Sequence, residues 1–436
     1  MKKILRFFGP IWFGSFFQQL YNSVDAVIIG RFEGKEALAA VGGTTASMIN
    51  LLVGLCVGIA SGGTVLLSQY YGARNQEGAG KTVHTGMLFS LMLGIVFMLG
   101  GMGVSPWYLT WSDVPAEVKK AALSYLRIYF LGMPFNLLYN TGAGMLQAVG
   151  DSGHPFLFLA TGCVCNIVLD LILVAVFPFG AAGAAAATIL SQLLSALLVV
   201  CTLMRTKDIY GMKIRQLRID PTVLKRLLLI GMPAGLQSVM YAVSNIAVQK
   251  GVNGLGTDVI AAWTVFGKVE NFFWMMINAF GITVTAFVGQ SWGAGKKEEA
   301  VRIIRKCILL SVVFTLCLSG LLYLFGGSLF HLFTKDQTVM DIGLRVLHWL
   351  VPMEILYVAI EILSGALRGI GDTWIPMLIC FAGICVLRVV WMATVVPAHP
   401  SILVIGFCYP VTWVVTGSLF ILYFCCFSAF RRKKEL

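Results

Sequence analysis

Asp25, Asn166, Asp170 and Thr188 are the residues of this chain whose types and spacing could do chemistry together. Each lies inside a long apolar run, where an ionisable or polar side chain is expensive and marks a functional position. Counting residues from the basic, cytoplasmic end of each run at about 1.5 Å apiece places Asp25 roughly 24 Å deep, Asp170 roughly 22 Å and Thr188 roughly 24 Å. Asn166 precedes Asp170 by four residues and so shares its helix face. Two carboxylates, an amide and a hydroxyl at one level make a hard-oxygen set that suits a small cation such as Na⁺. The same two acids could instead hold a proton, because repulsion and desolvation disfavour two neighbouring negative charges. Asp25 and Asp170 are therefore candidate Na⁺ ligands and candidate proton carriers alike. The competing reading pairs each acid separately with a polar neighbour.

The second half of the chain carries other charges in apolar surroundings: Lys268, Glu270, Glu354, Glu361 and Arg388. By the same count Glu354 and Arg388 both fall about 21–22 Å deep, which predicts a buried ion pair between them. Glu270 and Glu361 are candidates to face a cavity and attract a cationic substrate. Met275 belongs to a stripe running from Phe272 to Met276 that offers either packing surface or a deformable lining for flat, greasy ligands. Pro10 and Pro352 each delete a helical hydrogen bond, and Pro10 is the candidate hinge.

The elements that must position these residues follow from composition. Of 436 residues 58% are hydrophobic and only 12% charged, with a mean hydropathy of +0.85. Soluble domains carry about 25% charged residues, so a soluble enzyme is excluded, and so is disorder. The net charge of +12 is not a nucleic-acid footprint. Its basic residues cluster at Lys2 to Arg6, Arg205 to Arg226, Lys296 to Lys306 and Arg431 to Lys434, beside apolar runs. Eleven cysteines and five histidines are scattered, without metal-ligand spacing. The amino terminus reads as a retained first span rather than a cleaved signal.

Spans of about 20 apolar residues predict twelve membrane helices, at roughly 9–30, 37–69, 81–104, 117–149, 155–177, 183–204, 222–252, 258–290, 300–325, 338–369, 374–396 and 402–427. With the amino terminus inside, about 22 of the basic residues fall on the cytoplasmic side and about five outside, which puts both termini in the cytoplasm. The chain also repeats itself. Gly72-Ala73 matches Gly293-Ala294, and Gly144, Gly150-Asp151 and Pro155 match Gly365, Gly371-Asp372 and Pro376, each 221 residues on. Pro10 matches Pro233. Six spans per repeat make the halves parallel. The expected domains are a lobe over 1–204, a cytoplasmic linker over 205–221 and a second lobe over 222–436. Gly150 and Gly371 should end their helices in the left-handed conformation, with Asp151 or Ser152 and Asp372 or Thr373 capping the next ones. The repeat positions of Asp25 and Asp170 are about Val248 and Trp391, so the helical scaffold does not itself require the acids.

Asn22-x-x-Asp25, Asn166-x-x-x-Asp170, the paired Gly-Ala turns and the paired Gly-x5-Gly-Asp motifs together resemble the multidrug and toxic compound extrusion (MATE) family over essentially the whole chain. The resemblance implies an all-α polytopic membrane protein of twelve helices in two pseudo-symmetric six-helix bundles. It implies a non-enzymatic antiporter exporting lipophilic, mostly cationic drugs by alternating access against H⁺ or Na⁺, without a cofactor or nucleic acid, in contact with membrane lipids. Such a protein works as a monomer in the cell membrane. In the family the positions matching Asp25, Asn166, Asp170 and Thr188 form the amino-lobe cation site, and that of Pro10 is associated with bending of the first helix. Some relatives use a carboxyl-lobe acid where this chain has Tyr241, which argues against sodium there. The alternative function is a lipid-linked saccharide flippase, which would need more basic residues facing its cavity than Lys268 and Arg388.

Overall fold

The computed structural model describes residues 1–33, 40–42, 44–112 and 114–430, and the ordered elements among them are helical. The basic cluster at 431–434 and the expected start of the second span at 37–39 lie outside the described residues. A chain this apolar must satisfy its backbone groups internally, and a helix does so within one segment. Contacts divide the chain into two units, Lys2–Gly235 and Leu236–Leu436, with Met1 grouped in the second.

The first unit holds α1 (Lys2–Phe32), α2 (Thr44–Gly72), α3 (Gln76–Trp111), α4 (Ala116–Leu131) and α5 (Met133–Ala148). It continues with α6 (Gly153–Asp170), a wide π-helical turn at Leu171–Val176 and α7 (Gly180–Arg205). Helix α1 packs on α6, and α6 on α7, while α5 is held by α2, α3 and α7. After the linker comes α8 (Pro221–Asn253), whose first turns belong to this unit.

The second unit takes the rest of α8, then α9 (Thr257–Gly293), α10 (Lys297–His331) and α11 (Gln337–Leu350). A 3-10 turn at Val351–Glu354 leads into α12 (Ile355–Gly369). Helix α13 (Trp374–Cys380) runs through a second π turn, Phe381–Val386, into α14 (Leu387–Ala398), and α15 (Ile402–Cys426) closes the chain. Helix α9 is the hub, packing on α10, α11 and α12.

Ten helical stretches among the described residues are long and apolar enough to cross a membrane. The other two expected passes are α1 and the α4–α5 pair. Helix α1 carries Lys2, Lys3, Arg6, Gln18, Gln19, Asn22, Asp25 and Arg31. The fourth pass is interrupted at Gly132 and carries Glu117, Lys119, Lys120 and Arg127 in its first half. Polar load sets α1 apart, and the break at Gly132, which leaves two helices of 16 residues each, sets the fourth pass apart. Pro352 sits within the 3-10 turn that interrupts the tenth pass, as its missing donor predicts.

The paired turns form as the repeat requires. Gly150 has φ 95° and Gly371 φ 89°, a conformation glycine adopts without a Cβ penalty. Asp151 caps α6 by accepting from the backbone N–H groups of Gly153 and His154, both at 3.1 Å. Asp372 differs: its carboxylate accepts from the Tyr423 hydroxyl at 2.6 Å, tying this turn to α15.

Glycine explains why the first turns of α8 group with the first unit. Gly58 and Gly62 of α2 meet Gly231 and Gly235 of α8 with backbone against backbone. A methyl on Gly58 would lie 2.5 Å from the Gly235 Cα, and one on Gly62 would collide with the Leu227 carbonyl. Small residues four apart let membrane helices approach this closely. The linker is fastened too. Asp220 starts α8 by accepting from the N–H groups of Thr222 (3.0 Å) and Val223 (3.1 Å). Those bonds, with nearby Lys81, hold its carboxyl below the usual carboxylate range.

Gly62→Ala is expected to lower stability by about 1–3 kcal/mol through overpacking. Gly100→Ala, where nothing lies within 4 Å of the new methyl, should be neutral or slightly stabilising. Thermal melts of the two purified variants in detergent check this contrast.

Candidate functional site

Polar residues recur at one spacing on two neighbouring helices of the first unit. On α1 they are Gln18, Tyr21, Asn22 and Asp25, and on α7 Thr188, Ser191, Gln192 and Ser195. Intervals of three and four residues stack them along one face of each helix. With Asn166 of α6 and Tyr125 and Tyr129 of α4, these faces enclose a cavity of about 380 Å³. Asn136, Tyr139 and Asn140 of α5 and Asn50 of α2 complete its polar wall.

Asp25 and Asn166 line this cavity. Asp170 and Thr188 sit behind them, Asp170 fully buried and Thr188 1% exposed. The Asp25 and Asp170 side chains interact directly. Tyr21 reaches Thr188 and lies close to both acids, while Thr188 donates to the Ala184 carbonyl at 3.0 Å. The structure thus brings all four expected residues into one cluster. It adds tyrosines that single-residue reading overlooks: Tyr21, Tyr125 and, hydrogen-bonded to Gln192, Tyr129. The interval pattern on α1 and α7 was the available signal.

Polar demand here exceeds what the protein supplies. Both carboxylate oxygens of Asp170, Oδ1 of Asp25 and both amide atoms of Asn166 are buried without a hydrogen-bond partner among the described residues. Buried polar atoms are almost always satisfied, so such orphans point to something that joins them. A desolvated cation with oxygen ligands fits that need, and so does a proton shared by two carboxyls. The separate-pairing alternative finds no partner for Asp170 other than Asp25 among the described residues.

The second unit is built differently. Val248 and Trp391, the repeat positions of the two acids, lie in an apolar cluster with Val252, Ile405 and Cys408. The expected Glu354–Arg388 ion pair does not form. Arg388 instead donates from Nη1 to Asn245 Oδ1 at 3.2 Å and lies over the Tyr409 ring, 4.2 Å from its centroid. Both Glu354 oxygens are buried without a partner. Equal depth placed the two residues at one level, but depth fixes neither helix rotation nor lateral separation. Glu270, 9% exposed, lies between these charges, close enough to interact with each. Glu361 packs against the Gly281 backbone and accepts from the Tyr357 hydroxyl at 3.5 Å. Met275 is 8% exposed within the helix-packing core. Lys268 is exposed rather than buried, its ammonium over the Phe333 ring at 5.3 Å. Pro10 stands in the first third of α1, about 22 Å of helix before Asp25.

The family model MatE matches residues 10–172 and again 233–394. The chain belongs to the MATE family. A probable multidrug resistance protein of Bacillus subtilis, YoeA, is 30% identical over 380 residues, 86% of this chain and 82% of that protein. The multidrug export protein MepA of Staphylococcus aureus is 22% identical over 379 residues, 86% of this chain and 81% of its own length. In fold, a MOP superfamily transporter from Pyrococcus furiosus superposes with a TM-score of 0.92 at 21% identity, covering 99% of this chain and 97% of that one. MATE proteins are ion-coupled multi-pass membrane transporters, not enzymes, and multidrug efflux is the activity these relatives are named for.

An asparagine keeps the shape of Asp170 and removes the cost of burying a second acid beside Asp25. Asp170→Asn should therefore melt at or above the wild-type temperature in detergent. A fall of several degrees would mean that the carboxylate makes a structural bond.

Proposed function

We propose that this MATE protein is a cation-coupled antiporter that exports lipophilic, mostly cationic small molecules across the cell membrane, taking H⁺ or Na⁺ inward in exchange. The observation that carries the proposal is the buried Asp25–Asp170 pair, short of hydrogen-bond partners and beside a polar cavity. The cation binds Asp25, Asp170, Asn166 and Thr188. It opposes binding of the exported compound, because each ligand favours a different one of two conformations of the lobes. Alternating access of the two lobes then moves them in opposite directions. Pro10, which leaves the Arg6 carbonyl without its helical donor, is the hinge that lets α1 respond. Glu270, Glu361 and Met275 are the proposed contacts of a cationic, greasy substrate. The lobes are 1–204 and 222–436 joined by a cytoplasmic linker, both termini are cytoplasmic, and the monomer is the working unit.

A lipid-linked saccharide flippase is not favoured. Lys268 is exposed and Arg388 is occupied by Asn245 and Tyr409, which leaves no buried basic cluster among the described residues to hold a phosphate.

Efflux of an ethidium-like dye from vesicles, with a proton gradient and a sodium gradient imposed separately, tests the reading. One gradient should drive efflux and the other should not. Asp25→Asn should reduce driven efflux at least ~100-fold, on the scale of losing a buried charge interaction of about 3 kcal/mol, while folding normally. Undiminished efflux by that variant would refute coupling through this site.

A further inference from the structure

The linker forms a second polar cavity, of about 800 Å³, against the start of α3. It is a built feature rather than a loose loop. Met212 is 5% exposed in the core, and its N–H donates to the Leu203 carbonyl at 2.8 Å. The Lys213 N–H donates to His84 Nε2 at 3.0 Å, and the other ring nitrogen of this buried histidine bonds the Gly80 carbonyl at 2.6 Å. The Asp220 N–H donates to Thr85 Oγ1 at 3.1 Å. Two side chains of α3 thus pin the linker backbone at both ends of the basic stretch.

Charge in this cavity is unbalanced. Its carboxylates are Glu77, Asp208 and Asp220, and each is already engaged. Glu77 pairs with Lys81 at 2.7 Å, and Asp220 lies 3.6 Å from the same ammonium while capping α8. Asp208 accepts from the Ile209 N–H at 2.7 Å and the Tyr71 hydroxyl at 3.4 Å. Lys207, Lys213, Arg215 and Arg218 line the same space and make no ion pair among the described residues. Four free cations around a preformed concavity suit a phosphate group, which guanidinium and ammonium donors recognise.

Position identifies the source of that phosphate. The cavity lies at the shared end of three candidate membrane spans, α3, α7 and α8, since its walls include the first turn of α3, the last residues of α7 and the cap of α8. Met204 (43% exposed) and Ile214 (60% exposed) flank the cations with apolar side chains, placed for acyl chains. Basic pockets at span ends bind anionic lipid headgroups. We propose that this cavity binds the phosphate of an anionic phospholipid and so fastens the linker to the bilayer surface. The inference rests on the chain spanning a membrane and not on cation coupling.

Native mass spectrometry of the purified full chain in neutral detergent, titrated with phosphatidylglycerol or phosphatidylcholine, tests it. Phosphatidylglycerol should give a saturable adduct that phosphatidylcholine does not. The K213Q/R215Q/R218Q variant should bind it on the order of 100-fold more weakly, and Arg215→Gln alone roughly fivefold. The charge-retaining K213R/R215K/R218K variant should restore binding. All three side chains are exposed, so the melting temperature should not move. The single variant keeps the test decisive should the triple one fold poorly. Equal retention of both lipids, or adducts indifferent to the glutamines, would overturn the proposal by leaving the cations a purely topogenic role. Displacement of phosphatidylglycerol by millimolar inorganic phosphate would overturn the lipid assignment in favour of a soluble phosphate.

Discussion

Charge without a partner in a medium that cannot solvate it is the constraint around which this molecule is arranged. Water would stabilise a carboxylate; the bilayer interior does not, and the protein must supply donors or pay heavily. At Asp25 and Asp170 it supplies too few. Tyrosines and amides crowd the neighbourhood, yet Asp170 meets no side-chain donor beyond its partner acid Asp25 among the described residues. An arrangement left incomplete by its own side chains leaves room for something that can also leave, which is what the proposed exchange of a cation requires. A fully satisfied pair would be a better core and a poorer transporter.

The second unit makes the same point by contrast. Asn245 stands 223 residues after Asn22, as Val248 stands after Asp25. The asparagine survives the repeat, but its Oδ1 accepts from Arg388, a cation fixed to the chain, and apolar side chains fill the places of the acids. One unit carries orphaned anions where the other carries a tethered cation capped by an aromatic ring. The shared scaffold is indifferent to which it holds. Placement of the acids is therefore a property of a few side chains and not of the fold.

Much of this was legible in the sequence, because the signals were the strong ones. Membrane helices are long apolar runs, the repeat is a matter of exact spacing, and an acid in such a run stands out as Asp25 and Asp170 do. The turn glycines could be read because positive φ excludes nearly everything else at Gly150 and Gly371. What stayed hidden depends on rotation and lateral distance, which a one-dimensional count does not contain. Glu354 and Arg388 share a depth and still do not pair. Lys268 lies in the same apolar run as Glu270 but faces outward. The α2–α8 clasp needs two Gly-x3-Gly pairs from distant segments, and neither pair alone names the other. Tyr21 and Tyr129 are ordinary membrane tyrosines until the cavity is assembled around them.

The helical irregularities fall where the chemistry is. A π turn begins at the residue after Asp170, a 3-10 turn ends at Glu354, and a second π turn stops two residues before Arg388. Each departs from the regular hydrogen-bond ladder, and in a membrane such departures survive only where protein or a polar cavity shields them. The hub helix α9, by contrast, runs unbroken from Thr257 to Gly293. Asp170, Glu354 and Arg388 thus sit beside breaks in the ladder, whereas Asp25 and Glu270 lie on continuous helices. On the proposed function, loading or unloading a cation would change the force on α6 beside its π turn, so local adjustment there need not be transmitted as strain through the α2, α3 and α5 core. That separation would let a rigid helical unit contain a site that changes its charge, as the proposed exchange requires.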